Sequence, residues 1–193
     1  MLIPMTDVQQ YRHEQLLTLT NEKGVYALCD LDGVAIYIGK SVDGIRSRVR
    51  RHLTSARSDV IANRLVDVWE VAYVWGWPAQ GKMAISALEN QLYHQMNTES
   101  ALMNSQVPGS PLSKKISIPE KQAVQILTDA EIQSRLQARN RFSRQAHQLS
   151  LLLDYILEIK NNEEMQRSLA VHFDRLEKYH RQYQAATRNQ KNR

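Results

Sequence analysis

Apolar residues change their spacing several times along this chain, and each change predicts an element. From Thr6 to Thr20 a loose stripe of Val8, Tyr11, Leu16 and Leu19 at helical spacing, with Thr6 or Asp7 as cap, predicts a short helix. Val25–Cys29 and Val34–Ile38 are β-rich runs on either side of Leu31-Asp32-Gly33. Asp-Gly between such runs predicts a hairpin. The period returns to helical over Gly44–Ala56, where Ile45, Val49, Leu53 and Ala56 share a face, and Val60–Val66 predicts a further short helix. Trp69–Trp77 (WEVAYVWGW) is aromatic and β-branched and stops at Pro78, as a third strand would. Lys82–Met96 is helical again, with Ile85, Leu88, Leu92 and Met96 inward.

A stretch without period follows. Asn104–Lys121 holds three prolines, one glycine and four serines, which suits a linker or an ordered excursion. Beyond it the pattern is helical. Thr128 and Glu131 are spaced as a capping box, and Leu149, Leu152, Leu153, Ile156 and Ile159 form one stripe. Asn161-Asn162 breaks it, and Met165, Leu169, Phe173, Leu176 and Tyr183 form a second. An αα-hairpin is expected, its apolar faces meeting each other, the preceding domain or another subunit. The organisation expected is an N-terminal helix (1–22), a central domain (23–107), a linker (108–121) and a helical region (122–193). The fold class is α/β of the α+β kind: a small, mainly antiparallel three-stranded sheet flanked by helices, with a C-terminal α-helical appendage.

Composition narrows the setting. With 42% hydrophobic residues among 193, the chain can bury a core. No apolar run approaches the about eighteen residues that span a bilayer. The N-terminal residues lack the charged and apolar regions of a secretory signal, and Cys29 stands alone, which rules out an internal disulfide. A cytoplasmic location without membrane contact is the expectation. The net charge is +5, and its distribution matters more than its value. Lys40, Arg46, Arg48, Arg50, Arg51, Arg57 and Arg64 face only Asp43 and Asp59 over the same stretch. A basic block after a hairpin fits a polyanion or a solvated helix face, and Arg46, Arg50, Arg51 and Arg57 are the candidate nucleic-acid contacts. Arg135, Arg139, Arg141 and Arg144 cluster near the start of the first long C-terminal helix, where they fit a DNA backbone or a solvated face of an oligomerisation hairpin, with Arg139 and Arg144 as the candidate nucleic-acid contacts.

The hairpin carries two tyrosines, Tyr26 and Tyr37. A two-residue loop at Leu31-Asp32 or Asp32-Gly33 puts both on one sheet face, directly opposite or offset by two; a three-residue loop puts them on opposite faces. Two strand tyrosines alone are usually packing residues. The residues that follow change that reading. Arg48 and His52 lie one helical turn apart, beside the stripe that must pack on the sheet. Glu89 borders the buried stripe of the later helix, and Asn104 closes the domain.

Gly24-Val25-Tyr26, Tyr37-Ile38-Gly39, Lys40, Arg48, His52, Glu89 and Asn104, in this order over Lys23–Asn104, resemble the GIY-YIG nucleases. Gly44 leaves the arginine register open to Arg46 or Arg50, but only Arg48 has a histidine four residues on. Asn90 and Asn97 compete with Asn104, which follows the helix instead of sitting within it. The resemblance implies metal-dependent phosphodiester hydrolysis, with DNA as partner. It makes Glu89 the ligand for Mg²⁺ (or Mn²⁺), a hard cation that needs few protein ligands and stabilises the leaving oxygen. It gives Arg48 a fork of donors for the non-bridging oxygens and Lys40 a point charge. Tyr26 becomes the candidate general base or water-orienting group. Phenols ionise near pH 10, so Lys40 and Arg48 would also have to favour the phenolate. Tyr37 would orient water or phosphate, His52 would hydrogen-bond Tyr26 or relay its proton, and Asn104 would brace the site. The alternative is a catalytically silent nucleic-acid-binding or partner-docking module of the same fold. The C-terminal helices are open to DNA contact or to oligomerisation, a homodimer included.

Overall fold

The sheet is built outward from the Gly24–Cys29 strand (β1), buried at every position. The structure, a computed structural model, describes residues 6–54, 64–104 and 106–191. The hairpin partner is Ala35–Ser41 (β2); Tyr73–Pro78 (β3) lies on the other side of β1, and Gln122–Gln125 (β4) adds to β3. All pairings are antiparallel, in the order β2-β1-β3-β4. The fourth strand corrects the three-stranded expectation. It comes from the start of the region expected to be helical, where four residues are too few to show a period. The third strand also starts later than expected, since Val68–Glu70 form a 3₁₀ turn capped by Asp67.

Helices cover both faces. Asp7–Thr18 (α1) starts at a Thr6–Gln9 capping box, and Ile45–Thr54 (α2) buries Ile45, Val49, His52 and Leu53. These two pack on the face that carries Tyr26, Leu28 and Val74. Lys82–Glu99 (α3) buries Ile85, Leu88 and Leu92 against the opposite face, with Val25, Ala27 and Trp77. Asp129–Leu136 (α4) opens with the expected Thr128–Glu131 capping box. Ala138–Glu158 (α5) and Glu163–Lys191 (α6) form the αα-hairpin. Leu149, Leu152, Ile156, Met165 and Leu169 join the same core cluster as Tyr26 and Leu28, so the helical hairpin packs on the sheet. Phe173 and Ile159, expected in the stripes, are 48% and 71% exposed. His172, Arg175 and Tyr179 take the inward positions of α6.

The 106–121 stretch is an ordered excursion laid along α3. Asn90 Nδ2 donates to the Gly109 and Ser110 carbonyls, and Gln91 exchanges two hydrogen bonds with Ile116. The helix expected at Val60–Val66 falls largely outside the described residues; within them, Leu65 and Val66 are buried.

The inward arginines of α5 and α6 are paired. Arg141 reaches Asp32, Asp30 and Glu70 at 2.8, 3.3 and 3.2 Å, and Arg175 reaches Asp30 and Glu70 at 3.0 and 3.2 Å. Arg141 is 2% exposed and cannot track a DNA backbone, contrary to the reading of the arginine cluster. Charges buried this far survive only as a set, and stranding one costs about 3–5 kcal/mol. His172 sits between a contact to the Leu65 carbonyl at 2.9 Å and the Gln145 amide at 3.0 Å. Burial pushes its imidazole down to about 4, against the pull of the Leu65 carbonyl.

Two outcomes follow. Arg175→Met should lower unfolding stability by about 3–5 kcal/mol in urea titrations at neutral pH, because Asp30 and Glu70 lose half of their cationic partners. The unfolded chain binds a proton at His172 near pH 6.5 that the folded chain refuses until about 4. Its contribution is therefore complete above pH 6.5 and lost as pH falls toward 4. In His172→Gln the loss of stability across that window should be shallower than in the wild type, by up to one proton in the pH slope.

Candidate active site

The loop of the hairpin decides where the tyrosines point. Gly33, in the left-handed region at φ 74°, donates to the Asp30 carbonyl, and Asp30 N–H donates to the Val34 carbonyl. The loop is thus three residues, Leu31–Gly33, and not two. By parity alone that would split the tyrosines. A β-bulge corrects the parity: Cys29 pairs with Ala35 but Leu28 pairs with Tyr37, which leaves Ile36 as an extra residue on β2. Tyr26 then lies opposite Gly39, diagonal to Tyr37 and on the same face.

Their rings stand 6.3 Å apart, and His52 from α2 completes the group at 5.6 Å from Tyr26 and 5.9 Å from Tyr37. The Tyr26 hydroxyl is 2.5 Å from His52 Nε2, and both residues are sealed from solvent, at 1% and 0% exposure. Tyr37 is half-buried. Gly39 makes this possible, since a Cβ there would lie 2.5 Å from the Tyr26 oxygen. Arg48, one turn before His52 on α2, is half-buried.

Lys40 and Glu89 meet on the other side of β2. Strand alternation turns Lys40 toward α3, where its Nζ lies 2.7 Å from Glu89 Oε2 and 3.4 Å from Ser86 Oγ. Ser86 was not anticipated, although its place one turn before Glu89 on α3 was legible. β2 is the outer strand, so the aromatic trio and the Lys40–Glu89 pair flank a single sheet edge.

Asn104 grips that edge. Its side chain accepts from Ile38 N–H at 3.0 Å and donates to Ile38 C=O at 2.6 Å. The rival asparagines are engaged elsewhere: Asn90 on the excursion, and Asn97 as acceptor for Leu102 N–H. Among the candidate nucleic-acid contacts, Arg46 Nε donates to the Leu19 carbonyl, while Arg50 and Arg51 are exposed on α2. Arg57 lies outside the described residues. Arg139 is exposed, and Arg144 is held by Asp67 through both carboxylate oxygens.

As a chemical device, this is a phenol–imidazole pair next to a half-buried phenol, an arginine, and a lysine–carboxylate pair. Among the described residues, no group of three or more His, Cys, Asp or Glu is placed to hold a metal. No helix among them is long and apolar enough to cross a membrane. The GIY-YIG catalytic domain is the family whose model matches, over residues 22–103, which takes in β1, β2, α2, β3 and α3. No curated protein and no solved structure gives a match. Residues 22–103 of this chain match the GIY-YIG catalytic domain, a domain of nuclease type, and a fourth strand and the C-terminal helices are joined to that span.

Proposed function

We propose that this chain is a metal-dependent endonuclease that hydrolyses phosphodiester bonds in DNA through the residues flanking β2. The observation that carries this reading is the solvent-sealed 2.5 Å contact between the Tyr26 hydroxyl and His52 Nε2. With the imidazole proton on Nδ1, Nε2 accepts the phenolic proton, and the Tyr26 oxygen would take one from an attacking water once bound substrate brings that water against a hydroxyl that is closed to bulk solvent in the free protein. Tyr37, the more accessible ring of the pair, orients that water or the phosphate. Arg48 offers its planar fork to the non-bridging oxygens, and Lys40 adds a point charge. Asn104 keeps the outer strand in place beneath them.

Glu89 fits a divalent ion of the magnesium type (Mg²⁺ or Mn²⁺), which keeps several waters and needs few protein oxygens; a lone carboxylate suits it better than it suits zinc. When bound, such an ion supplies positive charge to the leaving oxygen. Lys40 holds Glu89 Oε2 until then, and phosphate oxygens are the natural alternative partners for its ammonium. The same Lys40–Glu89 pair favours the second reading, a catalytically silent nucleic-acid-binding module in which the lysine occupies the carboxylate permanently. DNA as partner, a cytoplasmic location and pairing of two chains through the C-terminal helices belong to the proposal.

Purified protein with Mg²⁺ should nick or cut plasmid. Glu89→Ala should lower the cleavage rate by about two orders of magnitude or more while leaving DNA binding in a gel shift. Equal cleavage by this variant would remove Glu89 from the site; no cleavage by either protein, with binding retained, would favour the silent module. Gly39→Ala drives a methyl onto the Tyr26 hydroxyl, and a misplacement of that size costs about 100-fold in rate. Single-turnover cleavage at saturating DNA reads that loss directly.

A further inference from the structure

Helix α2 has two polar flanks. With 100° per residue, Arg48 and His52 point to the tyrosines, while Arg46 and Arg50 point the opposite way, toward α1. Arg51 stands between them on the outward face and is exposed. Between α1 and α2 runs a groove of about 450 Å³, lined by Arg12, His13, Leu16, Arg50, Leu53 and Thr54 among others. None of the described residues lining it is acidic.

Arg12 is the unusual member. Its Nε is buried and has no hydrogen-bond acceptor among the described residues. Burial pulls its guanidinium below the ordinary arginine value, the Arg135 charge pulls the same way, and only Glu131 opposes. Glu131 is already committed, through an ion pair to Arg135 at 2.8 Å and the α4 capping box. A half-buried cation beside a second cation is unfavourable in the free protein and becomes favourable when an anion arrives. The described residues of the lining include no Trp, Tyr or Phe on which a base could stack, so it suits phosphates better than nucleobases.

We propose that this groove seats the sugar-phosphate backbone of the nucleic-acid substrate on the far side of α2 from the cleavage site. Arg48, Arg51, Arg50 and Arg12 would be met in that order by a strand crossing the outward face of the helix. This rests on the nuclease reading and adds to it a second, non-catalytic phosphate site contributed by α1, which lies outside the span of the family match. The site fixes where the substrate lies and reads no base.

The test uses the full chain and labelled DNA, duplex and single-stranded, in EDTA, with the dissociation constant followed against salt. Each phosphate contact contributes about 0.9 to the slope of log Kd against log salt on duplex DNA and about 0.7 on a single strand. Arg12→Gln should weaken binding several-fold and lower that slope by about one contact, and Arg12→Lys should recover most of it. With Mg²⁺, Arg12→Gln should raise KM and leave kcat within about twofold. Should Arg12→Gln fold poorly, Arg50→Gln, at an exposed position, is expected to give the same slope change. Wild-type binding with unchanged slope in Arg12→Gln and Arg50→Gln overturns the groove but not the nuclease. Absence of any DNA binding by the wild type overturns both. A loss of affinity for polyglutamate without loss for DNA would assign the groove to an acidic protein and overturn the proposal.

Discussion

The register of β1 against β2 is the constraint on which the site depends. Side chains alternate along a strand, so a slip of one residue would carry Tyr37 through the sheet to the α3 side. The loop is set at three residues by Gly33, whose left-handed conformation closes the turn onto Asp30. Such a loop gives the wrong parity for two tyrosines at 26 and 37, and the extra residue at Ile36 restores it. Loop and bulge are therefore one device. Shortening the loop or deleting the bulge alone would separate the two rings, while changing both would keep them together.

Asp30 ties this device to the rest of the molecule. One carboxylate oxygen accepts the backbone N–H groups of Asp32 and Val34, both at 3.0 Å, and so holds the turn. The other accepts from Arg175 and Arg141. The C-terminal helices thus grip the loop that sets the register, and their apolar stripes pack on the face where Tyr26 lies. The GIY-YIG span ends before these helices begin, yet its hairpin turn is neutralised by them. Removing α5 and α6 would take both arginines from Asp30 and Glu70, and the turn and the sheet face would lose the charges and the apolar cover that hold them.

How much of this was legible in the sequence follows from which forces act locally. The cap at Thr6, the capping box at Thr128, the α2 and α3 stripes and the presence of a turn at Asp-Gly were readable because each rests on residues within four positions of one another. That Arg48 and His52 share a helix face was readable from their spacing, whereas the two tyrosines were expected to share a sheet face only with a two-residue loop and are brought together by a three-residue loop with a bulge. The bulge was not, since Ile36 is as apolar as its neighbours and the extra residue shows only in pairing. β4 was missed because four residues reveal no alternation and their partner lies some fifty residues away. The α6 stripe was misphased because its inward positions include His172 and Arg175, polar residues whose burial depends on Gln145, Asp30 and Glu70 elsewhere in the chain.

An outer strand suits this chemistry for a reason that also creates a hazard. Tyr37 and Lys40 project from opposite faces of β2, and only at a sheet edge can groups from both faces reach one phosphate. An edge also leaves backbone groups unpaired and open to another strand. Met103 N–H covers the Ile36 carbonyl at 2.7 Å, and Asn104 covers both polar groups of Ile38. The next outward-facing backbone position belongs to Lys40, whose charge discourages strand addition without closing the edge. Residues 103 and 104 thus seal the strand up to the point where the lysine takes over, and the end left uncovered by the described residues is the end that faces Glu89.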